Sequence, residues 1–172
     1  MPVLLLEKKL TDLFVPQKLE KNELIQLIPH SGKMVLLSRI ISHDISKREV
    51  VAQFDVEESC IFYDDELGGI PNWVTFEIMA QTLSSLTGIT NRVKGLKPLA
   101  GCILSITNFK AEKEVFEKGS VLTINIREDF RDEESHVFKY YCSVSQNGQT
   151  DLVTTDITVL ETENIELIVK GN

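Results

Sequence analysis

The chain has 172 residues and a formal net charge of −8. It is long enough to close one apolar core without metals or disulfides, and too acidic for nucleic acid to be its main partner, because phosphate recognition needs clustered Lys and Arg. No apolar run reaches bilayer-crossing length, and the opening MPVLLLEKKL is apolar too briefly for a secretion signal, so no membrane span and a cytoplasmic protein are expected. Cys60, Cys102 and Cys142 form no CxxC pair; the latter two are read as small core residues in strands and Cys60 as a thiol before a loop.

Residues 1–20 carry no clear period and are taken as an N-terminal extension. Residues 21–28 (KNELIQLI) predict a short amphipathic helix with Leu24, Ile25, Leu27 and Ile28 on its apolar face, Asn22 as N-cap and Pro29 as its stop. A nearly continuous apolar run, 33–41, predicts a strand. Residues 49–56 predict another, since Val50, Ala52, Phe54 and Val56 alternate with more polar neighbours; HDISKR between them suits a hairpin turn. CIFYDDELGGIP reads as a loop. Residues 72–93 then form the longest helical pattern, with Pro71 in its first turn, apolar residues on most sides, and Gly95 and Pro98 at its exit.

Four strands are expected to follow: 99–109, 121–130 with Leu122, Ile124, Ile126 and Phe130 on one face, 136–146, and 152–160. Asn147-Gly148 marks a hairpin between the last two. Residues 161–172 form a charged, then briefly apolar tail. The expectation is one domain over 21–160 of α+β class, an antiparallel sheet curved around a single long helix that is apolar on most sides.

Glu77 stands inside that helix. A carboxyl group among apolar side chains is poised to carry a proton near neutral pH, and unpaired buried carboxylates are rare without a reason; an exposed helix-face Glu is the alternative. Gly68-Gly69-Ile70-Pro71 leads into the helix, where free N–H groups can polarise a carbonyl and the glycines would let a substrate approach the backbone; a plain turn is the alternative. His43 and His136 read as surface residues, while His30 follows the first helix. No Cys/His spacing indicates a metal and no glycine motif a nucleotide cofactor.

Leu27-Ile28-Pro29-His30 followed by Met34-Val35-Leu36-Leu37-Ser38-Arg39 resembles the "LPHR…LLxDR" opening of the 3-hydroxyacyl-acyl-carrier-protein dehydratases, and Phe76-Glu77-Ile78-Met79-Ala80-Gln81 resembles their "xExMAQ" helix. The "GGIPxWVxxExMAQ" form resembles most the branch found with aryl polyene pathways. The resemblance covers about residues 24–160 and implies a hotdog fold, no cofactor, and a dimer with an acyl tunnel at its interface. The substrate would be a thioester of acyl carrier protein or coenzyme A, and the partner a second copy or another hotdog subunit.

It further implies that Glu77 is the general acid and that Gly68, Gly69, Ile70, Pro71, Asn72 and Trp73, with Gln81, bind substrate. The family's "GHFP" histidine is missing: counting back from Glu77 places Tyr63 there. Either Tyr63 or Asp64 replaces it, or His30 serves, or the chain does not dehydrate alone; a tyrosine hydroxyl is a poor base near neutral pH. The rival readings are a non-catalytic partner subunit and an acyl thioesterase.

Overall fold

A computed structural model describes residues 14–96 and 100–162. Most of the N-terminal extension, Pro98, Leu99 and most of the tail lie outside the described residues.

In chain order the elements are β1 (Leu19–Glu20), α1 (Lys21–Leu24), a 3₁₀ turn (Gly32–Met34), β2 (Arg39–Asp44), β3 (Glu49–Asp55), β4 (Gly69–Pro71), α2 (Val74–Lys94), β5 (Ala100–Ala111), β6 (Val115–Glu117), β7 (Val121–Asp132), β8 (Val137–Gln146) and β9 (Gln149–Thr162). Seven strands form one antiparallel sheet in the order β1-β2-β3-β7-β8-β9-β5, while β4 and β6 pair separately. Alternation does what the pattern demands. Val50, Ala52 and Phe54 of β3, Leu122, Ile124 and Ile126 of β7, Phe138, Tyr140, Cys142 and Val144 of β8, and Val153, Thr155, Ile157 and Val159 of β9 are all buried. Against them lies α2, which buries Val74, Ile78, Met79, Leu86 and Ile89.

Several expectations change. The helix at 21–28 stops after its first four residues. Its N-cap is Glu20, which closes a capping box with Glu23, so Asn22 does not cap it. Leu24 and Ile28 are buried but Ile25 is exposed. The apolar run 33–41 becomes a strand only from Arg39; before that, Val35, Leu36 and Leu37 fill the core from irregular backbone, which apolar content alone does not distinguish from a strand. Pro71 ends β4 instead of opening α2, which begins three residues later. Phe130 leaves the buried face because a bulge between Glu128 and Phe130 reverses the alternation, and it is exposed. Cys142 is buried as expected, whereas Cys102 is half-buried on β5 at the sheet edge.

Gly88 shows how closely α2 is docked. A Cβ there would lie 2.1 Å from the Leu27 carbonyl oxygen, so only glycine lets the helix meet the segment leading to His30.

Candidate active site

His30 follows α1 on an irregular segment, and Glu77 sits in the first turn of α2. The fold brings them together: Nε2 of His30 lies 3.3 Å from Oε1 of Glu77, and each side chain is about one quarter exposed, 24% and 26%. Glu77 is thus neither fully buried nor a free surface residue. The other ring nitrogen of His30, Nδ1, is buried and has no hydrogen-bond partner.

Both residues line a cavity of about 600 Å³. Along α2 its wall runs through Glu77, Ala80, Ser84, Thr87 and Asn91, flanked by Leu83 and Gly88. Steps of three and four residues keep these on one helix face, and fourteen residues at 1.5 Å each make a stripe about 21 Å long. Ile103 of β5 and Val159 of β9 face it. The end away from Glu77 is polar: the Thr87 hydroxyl donates to Glu161 at 3.0 Å, and Asn91 is buried with its amide nitrogen unpartnered. The expectation of a helix apolar on most sides therefore overlooked a polar stripe. Its signal is in the sequence, since Ser84, Thr87 and Asn91 stand 7, 10 and 14 residues after Glu77, repeats of the helical period.

Gln81, expected to bind substrate, is fully buried and bonded to Glu77 and to the segment after His30; it is not among the residues lining the cavity. The Gly68–Trp73 stretch does not line it either. Gly69–Pro71 pairs with β6, and a Cβ on Gly69 would lie 2.2 Å from the Phe116 carbonyl oxygen, so the glycine admits a neighbouring strand and not a substrate. Ile70 is buried, and Asn72 donates from its backbone to Glu114 at 2.8 Å and from its side chain to Lys113 at 2.9 Å. Gly68 accepts from the Lys118 N–H at 3.0 Å. Trp73 is exposed and meets the Phe62 ring edge-on, with centroids 5.8 Å apart. Asp64 is exposed and folds its own turn: its Oδ1 takes the N–H groups of Glu66 and Leu67. Tyr63 is half-buried beside it. Within this chain neither joins Glu77 in the cavity; His30 does.

One antiparallel sheet curved around one long helix, with a helix carboxylate opening on an elongated cavity, defines a hotdog protein. The profile of the ApeP-like family, described as ApeP dehydratase, matches residues 22–170, and the chain belongs to that family. It is 30% identical over 107 residues to the 3-hydroxyacyl-[acyl-carrier-protein] dehydratase FabZ of Chlamydia caviae, covering 60% of this chain and 68% of that one. The FabZ of Chlamydia abortus is 29% identical over the same length and shares. Among solved structures, a chain of the dehydratase heterocomplex ApeI:P from Xenorhabdus doucetiae superposes with a TM-score of 0.74 at 24% identity, covering 86% of this chain and 95% of that one. The Escherichia coli PaaI protein of a phenylacetic acid degradation operon gives a TM-score of 0.52 at 13% identity, over 70% and 80% of the two chains.

Proposed function

We propose that this protein dehydrates 3-hydroxyacyl thioesters borne by acyl carrier protein to trans-2-enoyl thioesters, in the cytoplasm and in fatty-acid or polyene synthesis. The observation that carries the reading is the His30–Glu77 pair, 3.3 Å apart on the wall of a cavity long enough for an acyl chain. The reaction removes a proton from C2, makes the C2=C3 double bond and releases the C3 hydroxyl as water. It needs a group that takes and delivers a proton beside the thioester end of the chain. Glu77 is that group, and Nε2 of His30 lies 3.3 Å from its carboxylate. On this reading Glu77 alone moves the proton, without the family's loop histidine, and Tyr63 and Asp64 have structural roles.

The protein works with a second hotdog subunit, its own copy or a relative, seated along β5. Ile103, Leu104, Ile106 and Phe109 of that edge strand are exposed, an unusual surface for a long edge left unpaired among the described residues. The ApeI:P assembly, whose chain shares this fold, is itself a heterocomplex.

The test is enoyl formation from a 3-hydroxyacyl-carrier substrate, followed with the protein alone and mixed with a related hotdog subunit. Turnover in either case and its loss in Glu77→Gln support the reading. Absence of turnover in both, or full turnover by Glu77→Gln, overturns it.

A further inference from the structure

Gln81 has no exposure to solvent, and its amide makes three bonds. Its nitrogen donates to Glu77 Oε1 at 2.8 Å and to the Met34 carbonyl at 2.7 Å, and its oxygen accepts from the Leu36 N–H at 2.9 Å. Turning the amide over would set its oxygen against two oxygens, so these neighbours fix its orientation. Gln81 stands four residues after Glu77 on α2, one turn along the same face. Met34 and Leu36 belong to the segment that starts at His30. A single buried side chain therefore fastens both the carboxyl group and the segment that carries its histidine.

The two oxygens of Glu77 are consequently not equivalent. Oε1 faces Gln81 Nε2 and His30 Nε2 together. Because His30 Nδ1 is buried with no hydrogen-bond partner, the tautomer with its hydrogen on Nε2 leaves no orphan donor. Oε2 takes no hydrogen bond among the described residues, and Glu77 lines the cavity.

We infer that Gln81 is a positioning residue: it turns Glu77 so that Oε1 is held by the protein and Oε2 alone exchanges the proton with substrate. The inference rests on the dehydratase reading given above. Oε2 takes the C2 proton while the C–H electron pair forms the C2=C3 bond. The C3–O bond breaks, and Oε2 returns the same proton to the departing oxygen, which leaves as water. The carboxylate is regenerated, and His30 and Gln81 keep their hydrogens throughout.

The experiment compares wild type with Gln81→Met and Gln81→Glu, each also made on Glu77→Gln. Misplacement of the reacting oxygen is expected to lower kcat on the order of 10²-fold with KM within about twofold, and to cost nothing further once Glu77 is already Gln. The Gln81 side-chain N–H₂ and Leu36 N–H of the wild type should exchange slowly with deuterium. Retention of half the wild-type kcat in Gln81→Met, or an equal loss on the Glu77→Gln background, overturns the inference. So does free exchange of the wild-type Gln81 amide, which decides the matter even where the variants fail to fold. Where wild type shows no turnover the dehydratase reading falls by itself. The His30 ring resonances then decide: a shift in the folded Gln81 variants upholds the positioning, and none refutes it.

Discussion

At the scale of single residues, chemistry depends on what each polar atom is left with after the fold has used it. Among the described residues Glu77 Oε2 takes no hydrogen bond, while Oε1 accepts from Gln81 and lies 3.3 Å from His30 Nε2. His30 is useful through Nε2, since Nδ1 is enclosed. Replacing His30 by Ala removes the imidazole 3.3 Å from Oε1 and leaves the Gln81 hydrogen bond in place. The expected outcome is a fall in kcat of roughly 10- to 100-fold, smaller than for Glu77→Gln, in the carrier-substrate assay. His30→Ala matching wild type would show that the pair is only a structural contact. Glu77 was legible in the sequence because its apolar neighbours make a carboxylate conspicuous. The bonds of Gln81 were not: its partners Met34 and Leu36 lie 47 and 45 residues away, and no local pattern encodes such a meeting.

At the scale of elements, the long helix and the strands β3, β5, β7, β8 and β9 were legible, and the short strands and the joints were not. Periods of 2 and 3.6 residues announce faces that must be buried, and β3, β8 and β9 obey them. A bulge such as that before Phe130, or the short β4–β6 pair, depends on partners far along the chain. Gly69 illustrates the limit: glycine in a loop suggests access for a ligand, yet the Phe116 carbonyl fills the space. Gly88 does comparable work between α2 and Leu27. Gly88→Ala must push that segment away, because its contact is backbone and cannot rotate aside. Overpacking of this kind costs about 1–3 kcal/mol, read as a lower urea midpoint with an unchanged slope. Activity should fall as well, since the displaced segment continues into His30. An unaltered midpoint would mean that the helix does not press on Leu27 as closely as the structure shows.

At the scale of the whole molecule, the acidic surface and the apolar core respond differently to pH. Two acidic groups lie inside the sheet. Burial pushes the Cys142 thiol well above its ordinary value of 9.0, helped by the charge of Asp156. Burial likewise pushes the Tyr140 hydroxyl above 10.0, with Glu128 and Glu161 adding to the rise and Arg131 and Arg48 opposing it. Both pKa values are higher folded than unfolded, so each group contributes stability in full below its unfolded value. That contribution is lost as pH climbs from there toward the folded value, because the unfolded chain releases protons that the folded one retains. Each group can add a slope of about 1.4 kcal/mol per pH unit in that range. Stability should therefore decline as pH rises past 9, beginning with Cys142 and steepening past 10 as Tyr140 joins. Urea unfolding at half-unit steps from pH 8 to 11 measures this. Cys142→Ala will be less stable throughout because it leaves a small void, but its decline should be shallower between pH 9 and 10. Equal slopes for variant and wild type in that window would show that the buried thiol does not drive the loss.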